Sequence, residues 1–414
     1  MSQTLRSKSD IGYKAVKRKK IFPLISTAVT VASLLGMSLT RGFHEKTSLD
    51  IFFSVILFST ALVPIYVCGY FQFLWICLGA WMLAVLQVLV LGVQLRLLPF
   101  LGLIGSVSMI LLLVRRSRAI GMEHDRLRSA VLPLLIVVAL AALNGPLLAR
   151  LASLFPKTFD SALYAFDGTL GMQFSFAAGK VLRRWPWILD GALIVYCVLP
   201  VVLMLVFAQQ LRRCGPDARR VLIAFCCAGP IGIIFYCLLP ACGPAYFLGA
   251  KFPFNPPSMQ QIGNVIAHGP PLNAYRNAFP SLHFAWALLA WWYSDGLVLF
   301  MRAALLIFLA LTGVSALGLG EHYFVDLVAT LPFALMIQAT FALENPLFVG
   351  SRIKAFLGGL VSLLLWILLL RFGKGVFLSP LASWLLIAST CITCIYMQRH
   401  LRLLPAKVCE NASR

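Results

Sequence analysis

The chain has 414 residues, of which 60% are hydrophobic and 12% are charged, and its mean hydropathy is +0.89. Soluble domains carry about 45–50% apolar and about 25% charged residues, so this composition excludes a soluble globular protein and indicates an integral membrane protein. The net charge of +21 would suggest nucleic acid as the partner of a soluble chain. Here the basic residues cluster between apolar runs, a pattern typical of cytoplasmic loops facing anionic lipid.

Residues 1–20 are polar and basic and are predicted to form a cytosolic tail. The apolar runs that follow predict an all-α, polytopic fold with about twelve transmembrane helices, because each run has about the 20 residues that a bilayer requires. The predicted spans are 22–40, 49–70, 72–94, 98–114, 129–149, 187–208, 221–241, 280–297, 299–318, 322–343, 353–370 and 377–397. The first run is too long for a signal peptide and has no small-residue cleavage site, so we expect it to be retained.

The positions of the basic loops test the predicted number of spans. With the N-terminus in the cytosol, the strongly basic loops 115–128, 209–220 and 344–354 and the C-terminal tail all fall on the cytosolic side. The connections 150–186 and 242–279 then lie outside, and residues 159–168 within the first of them have the pattern of a helix at the membrane interface. Asp167 in that helix is expected to be solvated or to touch a lipid headgroup.

Cysteine usage points to packing rather than chemistry. Most of the 11 cysteines lie in apolar runs, where a free thiol behaves as a small hydrophobe. Cys391 and Cys394 form a C-x-x-C inside an apolar span without a second pair nearby, so they are also expected to pack. No cluster of metal ligands is recognisable, and neither a metal nor another cofactor is predicted.

A first polar motif stands at the start of the eighth predicted span and reads Pro280-Ser281-Leu282-His283. Proline is favoured in the first turn of a helix, so Pro280 predicts the helix start. The free N–H groups of that turn would then face outward as an anion site, to which Ser281 adds a hydroxyl and His283 a titratable proton. Arg276, just upstream, is a fork-shaped cation suited to phosphate oxygens, although interfacial snorkelling explains it equally well.

A second motif, His322-x-x-x-Asp326, stands at the start of the tenth predicted span. On a helix the two side chains would share one face, one turn apart. A carboxylate inside a span needs a partner, and one that accepts a ring N–H fixes the tautomer of histidine and raises the basicity of the other nitrogen. In-line displacement at phosphorus needs a nucleophile, an acid and cations, which His322, His283 and Arg276 can supply.

The two motifs together resemble the type-2 phosphatidic acid phosphatase superfamily. They look most like its inositol-phosphorylceramide synthase branch, the aureobasidin-resistance type, because their sequences read Ala-Phe-Pro-Ser-Leu-His and His-Tyr-Phe-Val-Asp. The resemblance covers about residues 130–343 and implies a six-helix core. It implies that His322 is the nucleophile, Asp326 its orienting partner, His283 the proton donor to the leaving group and Ser281 a phosphate ligand, without a metal.

The chain departs from the phosphatase pattern at two places. Ser315-Ala316 stands where the phosphatases have Ser-Arg, and Lys-x6-Arg-Pro is missing. Arg276 is the candidate replacement for the lost cations. Tyr275 and Lys251 complete the predicted substrate-binding set, although Lys251 also fits ordinary contact with lipid headgroups. These losses favour the synthase-like branch over a simple phosphomonoesterase.

The sequence therefore predicts a cytosolic tail (1–20), a four-span region (21–128), a catalytic six-span core (129–343) and a two-span region with a tail (344–414). Three functions stay open: a phosphotransferase with a lipid phosphate or phospholipid donor and a lipid or polyol acceptor, a lipid phosphate phosphatase with water as acceptor, and a transporter with a vestigial site. Both motif histidines are expected on the non-cytoplasmic face, and a bacterial inner membrane fits the chain. No nucleic acid is expected to bind.

Overall fold

The computed structural model describes residues 48–63, 71–91, 97–258, 260–262, 274–341, 349–373 and 379–402. Every regular element in these ranges is helical, which confirms the predicted all-α class. The α-helices are α1 (Ser48–Ser59), α2 (Phe71–Leu91), α3 (Leu97–Arg118), α4 (Met122–Leu154), α5 (Asp160–Thr169), α6 (Phe174–Arg184), α7 (Pro186–Cys197), α8 (Leu199–Cys214), α9 (Arg219–Leu238), α10 (Pro244–Leu248), α11 (Leu282–Trp292), α12 (Leu299–Gly318), α13 (Phe324–Phe341), α14 (Val349–Phe372) and α15 (Pro380–Arg402).

The described helices confirm a polytopic membrane protein. Seven of them are long and apolar enough to cross a membrane, and the pair α7 and α8, bent by 45° at its break, brings the number to eight. Shorter apolar stretches lie in α2 and α11. The predicted span 22–40 lies outside the described residues, and α1 ends at Ser59, well before the end of the predicted span 49–70. The total of twelve spans therefore stays a prediction.

The agreement between predicted and observed span boundaries differs from helix to helix. The predicted span 299–318 coincides with α12. The predicted span 280–297 differs more, since α11 begins at Leu282 and ends at Trp292. The chain turns after that end through Gly296, whose φ is +77°.

The chain forms two compact units, Met1–Ala142 and Leu143–Arg414. In the first unit α3 packs against both α1 and α2. Ser108 Oγ donates to the carbonyl of Thr60, and a cluster of buried apolar residues that includes Ile76 and Leu103 fills the contact. The region boundaries expected at residues 20, 128 and 343 stay predictions.

In the second unit α13 is the central helix. Of the described candidate spans it is the most deeply buried, and it packs against α5, α9, α11, α14 and α15. The helix predicted over residues 159–168 is α5, and it packs on α13, α14 and α15 with half of its residues buried. The two histidine motifs therefore stand at the starts of two packed helices, α11 and α13.

Candidate active site

His322 lies in the short connection between α12 and α13, and its backbone is bonded on both sides. Its N–H donates to the carbonyl of Ala316 at 3.3 Å, and its own carbonyl accepts from Ser175 Oγ at 2.8 Å. The connection turns at Gly320, where φ is +79° and an added Cβ would lie 2.6 Å from the ring of Phe252. A residue larger than glycine would displace this turn, so the histidine is held by a closely packed loop.

The ring of His322 makes its shortest polar contact with a backbone carbonyl. Nδ1 lies 2.8 Å from the carbonyl oxygen of Ala278, in the segment just before the first motif. A carbonyl can only accept a hydrogen bond, so Nδ1 carries the proton and Nε2 keeps its lone pair. The Oδ2 atom of Asp326 lies 3.6 Å from the same Nδ1. The geometry thus differs from the predicted arrangement, in which Asp326 alone accepts the ring N–H.

The start of α13 explains this difference. The helix begins at Phe324, two residues later than predicted, so His322 precedes the helix and does not share a helical face with Asp326. Asp326 Oδ2 accepts the N–H of Tyr323 at 2.7 Å. This is the reach-back half of a capping box, in which the third helical residue bonds the N-cap amide. That bond draws the carboxylate oxygen toward the backbone.

The surroundings of His322 favour a neutral imidazole. Burial lowers the pKa of His322 to about 4, while the carboxylate of Glu321 and the bond to Ala278 act in the opposite direction. The residue is only 2% exposed, so water does little to stabilise a charged ring. A neutral ring with a lone pair on Nε2 is the form that can act as a nucleophile.

Ser281 caps the first motif helix. Its Oγ accepts from the N–H of Phe284 at 3.4 Å, so Ser281 is the N-cap of α11 and Pro280 lies before the helix, in contrast to the predicted start. The N–H of Ser281 donates to Thr330 Oγ1 at 3.0 Å, and Thr330 Oγ1 lies 2.7 Å from the carbonyl of Asp326. One threonine therefore joins the two motifs.

His283 lies in the first turn of α11 between two aromatic rings. Tyr196 of α7 stacks on it, with ring centroids 3.7 Å apart and planes inclined by 17°. Trp286 meets it edge-on at 6.1 Å. The ring also lies close enough to His322 for charges on the two histidines to interact. The structure thus brings the two predicted catalytic histidines into one site.

The other predicted site residues have different environments. Arg276 is fully buried, and its guanidinium donates to the carbonyls of Phe155 (3.0 Å) and Ala274. Tyr275 is half-buried and near Tyr246. Lys251 is exposed at the end of a short 3₁₀ turn. The outward-facing phosphate contact predicted for Arg276 therefore stays a prediction, because the described contacts of this side chain are to backbone carbonyls.

Sequence reasoning did not find two buried carboxylates on α5. Asp160 and Asp167 are both 0% exposed, so the expectation that Asp167 is a solvated residue is wrong. Asp160 accepts N–H groups of the loop before α10, and Asp167 accepts N–H groups of the first turn of α13, just after His322. A signal was present, since two acidic residues seven positions apart share one side of a helix whose neighbours are apolar.

Glu321 lies beside the nucleophile candidate. It is half-buried, and its Oε1 accepts from the hydroxyl of Tyr246 at 3.3 Å. Burial raises the pKa of Glu321, while His322 and the bond from Tyr246 act in the opposite direction. Among the described residues no group of three His, Cys, Asp or Glu side chains is arranged as a metal site.

Comparison with known proteins gives a family match over part of the chain. Residues 161–340 match the family model of the PAP2 superfamily. The PAP2 match contains both motifs, most of α5 and almost all of α13, whereas α14 and α15 lie beyond it. It supports an enzyme of the lipid phosphatase or phosphotransferase type. Searches of curated proteins and of solved structures returned no match.

Proposed function

We propose that the chain is a membrane-embedded lipid phosphotransferase that works through a phosphohistidine at His322. The observation that carries the proposal is the 2.8 Å contact between Nδ1 of His322 and the carbonyl of Ala278. This contact assigns the proton to Nδ1 and leaves Nε2 as the nucleophile. The PAP2 match supports the enzyme class, and the transferase is our more specific inference.

The first half of the reaction forms the phosphohistidine. Nε2 of His322 attacks the phosphorus of the lipid donor, the bond from phosphorus to the leaving oxygen breaks, and His283 gives that oxygen a proton. An anionic phosphate beside His283 favours the protonated ring that this step requires. The positive charge that forms on the ring of His322 is stabilised by the carbonyl of Ala278 and, at 3.6 Å, by the carboxylate of Asp326.

The second half reverses these roles. His283, now neutral, takes the proton of the acceptor hydroxyl as its oxygen attacks phosphorus. The nitrogen–phosphorus bond breaks and Nε2 recovers its lone pair. We assign phosphate binding to Ser281 and Arg276, with Tyr275 and Lys251 at the edge of the site. Residues 129–343 are the proposed catalytic core.

The chain lacks a cation at a position where phosphatases have one, and this favours an acceptor other than water. Ala316 stands at that position, and it is fully buried in α12 with its carbonyl bonded to the N–H of His322. A lipid or polyol hydroxyl is the acceptor that the inositol-phosphorylceramide synthase resemblance suggests. We place the reaction on the non-cytoplasmic side of the membrane, a bacterial inner membrane, because the short basic loops 115–128 and 209–220 are predicted to lie on the other side.

The decisive experiment uses the purified full chain in nanodiscs. Labelled phospholipids and polyprenyl phosphates are incubated with and without ceramide, diacylglycerol or inositol, next to a His322→Ala control. A new lipid product that needs the acceptor and disappears in the variant supports the transferase. Release of free phosphate from a lipid phosphomonoester without an acceptor makes the protein a phosphatase. Equal results for wild type and His322→Ala in every incubation would remove the phosphohistidine mechanism.

A further inference from the structure

Asp167 on α5 holds the start of the helix that follows His322. Its Oδ2 accepts the N–H of Phe324 at 2.8 Å, and its Oδ1 accepts the N–H of Val325 at 3.1 Å. The first N–H groups of a helix have no acceptor within the helix, and a carboxylate there also interacts favourably with the helix dipole. With Asp326 bonded to Tyr323, the three amides after His322 each have a carboxylate acceptor. The position of His322 along its loop depends on these bonds.

Asp160, seven residues earlier on α5, holds the loop on the other side of the site. Its carboxylate accepts the N–H of Cys242 (3.1 Å), the N–H of Gly243 (2.9 Å) and the hydroxyl of Tyr323 (3.1 Å). Gly243 has a φ of +85°, and an added Cβ would lie 2.3 Å from the carbonyl oxygen of Glu321. The loop at residues 241–243 therefore passes directly beside the residue that precedes His322.

This loop also holds the carbonyl that sets the tautomer of His322. The carbonyl of Ala241 accepts the N–H of Ala278 at 2.9 Å, and the carbonyl of Ala278 accepts Nδ1–H of His322 at 2.8 Å. Asp160 thus acts on His322 through two paths. One runs through the loop and Ala278 to the ring, and the other runs through the hydroxyl of Tyr323 to the adjacent backbone.

The carboxylates of Asp160 and Asp167 need these hydrogen bonds because both side chains are buried. Burial raises the pKa of both Asp160 and Asp167, and the backbone N–H bonds that each accepts act in the opposite direction. A buried carboxylate without such donors would be strongly disfavoured, so the acceptor positions and the amides that they face stabilise each other. The bonded atoms are therefore expected to keep defined positions.

The C-terminal helices keep α5 in place. Phe166, between the two aspartates, is fully buried and packs edge-on against Trp366 of α14 with ring centroids 5.2 Å apart. Thr169 Oγ1 donates to Ser383 Oγ of α15 at 2.8 Å. Both partners lie beyond the PAP2 match, so this pair of helices has a role in supporting the site.

We propose that Asp160 and Asp167 are positioning residues for His322, which hold its backbone and the carbonyl of Ala278 so that the ring keeps its Nδ1–H tautomer with Nε2 directed to the substrate. The inference rests on the proposed phosphotransfer at His322. Neither aspartate contacts the reacting atoms in this mechanism. Both act through groups that contact His322.

The test measures the ring of His322 directly. The full chain with ¹⁵N-labelled histidine is studied by NMR in nanodiscs, and His322→Gln assigns the signal of that ring. Wild type is expected to show a protonated Nδ1 and an unprotonated Nε2. Asp160→Asn is expected to add a second tautomer. Tyr323→Phe removes one hydrogen bond to Asp160 and leaves its carboxylate in place, so it is expected to add the second tautomer to a smaller extent. Asp190→Asn changes an exposed carboxylate on α7 and is the matched control.

Turnover of a labelled phosphatidate with ceramide as acceptor gives the second readout. A misplaced nucleophile costs about a hundredfold in rate, so both Asp160→Asn and Asp167→Asn are expected to lower kcat by about that factor with KM little changed. Wild-type tautomer signals and kcat in folded Asp160→Asn and Asp167→Asn would overturn the inference. If Asp160→Asn does not fold, Tyr323→Phe decides by the same two measurements.

The NMR signal separates this inference from the proposed function. A second tautomer in Asp160→Asn supports the positioning role even if wild type turns over no substrate in the panel, in which case only the proposed function fails. An active wild type with an unchanged tautomer in every variant would support the proposed function and overturn the positioning role.

Discussion

Nδ1 of His322 and the carbonyl oxygen of Ala278 lie 2.8 Å apart, and this contact joins two segments separated by 44 positions in the chain. It links the segment before α11 to the residue before α13. The tautomer of the proposed nucleophile is therefore set by the backbone before the other motif.

This contact leads to a prediction for Asp326→Asn. Because the carbonyl of Ala278 retains the Nδ1–H tautomer, we expect a loss in kcat of about 100-fold, smaller than the ~10⁴-fold loss where a carboxylate alone sets the tautomer. The remaining amide oxygen can still accept the N–H of Tyr323. Single-turnover trapping of the phosphohistidine measures the effect, with His322→Ala as the inactive reference. A loss as large as that of His322→Ala would mean that Asp326 sets the tautomer.

The charge of His322 in the substrate-free chain follows from its pKa. Burial lowers this pKa to about 4 from an ordinary value near 6.5, so the ring stays neutral until the pH approaches 4. We expect the ¹⁵N NMR signals of this ring in the substrate-free chain to change near pH 4. A change centred at pH 6.5 would contradict the burial of the ring.

The same pKa affects stability. Between pH 6.5 and about 4 the unfolded chain binds a proton that folded His322 does not bind, so its contribution to stability is present above pH 6.5 and is lost as the pH falls toward 4. Thermal unfolding of wild type and His322→Gln across this range measures the contribution. The variant should show a weaker decline in Tm on acidification.

Stacking on Tyr196 is expected to hold His283 in place. Aromatic pairs contribute about 0.5–1.5 kcal/mol beyond area burial, so Tyr196→Leu is expected to lower kcat by about two- to tenfold with KM little changed. Tyr196→Phe keeps the stacked ring and is the matched control. Equal losses in both variants would assign the effect to the hydroxyl of Tyr196 instead of its ring.

Thr330 is expected to couple the two motifs. Thr330→Val leaves the buried N–H of Ser281 without its acceptor, which costs about 1–3 kcal/mol of stability, and kcat should fall as well because both motif helices shift. Thr340→Val is the control, because Thr340 lies on the same helix and its hydroxyl donates to the carbonyl of Met336, one turn earlier in that helix. Chemical unfolding and turnover of both variants measure the difference. Identical behaviour would show that the link between the motifs has no effect.

Trp366 tests the support from the C-terminal helices. Its ring is 1% exposed and packs on Phe166 of α5, so Trp366→Leu is expected to destabilise the protein by about 2–4 kcal/mol and to lower kcat at temperatures where the protein stays folded. Trp384→Leu, a change at a half-exposed tryptophan of α15, should have a smaller effect on both. Loss of stability without loss of kcat would mean that α14 stabilises the fold but does not support the site.

Much of the fold could be predicted from local patterns. Apolar run length identified α12 with its bounds, and the composition indicated a polytopic all-α membrane protein, because the bilayer requires about 20 apolar residues per crossing whatever the tertiary contacts. The starts of the helices at the two motifs were each predicted two residues too early, because the capping bonds of Ser281 and Asp326 decide where these helices begin.

The sequence by itself determined the membrane character of this protein, its helical class and the two motifs that name His283, His322 and Asp326, because residue type and spacing carry that information. Only the tertiary structure decided that the carbonyl of Ala278 faces the ring of His322, that Arg276 is buried, and that Asp160 reaches Tyr323 across 163 positions. Hydrogen bonds between distant segments leave no periodic pattern in the chain. They arise when packed helices bring buried donors and acceptors together, and those groups must then find partners.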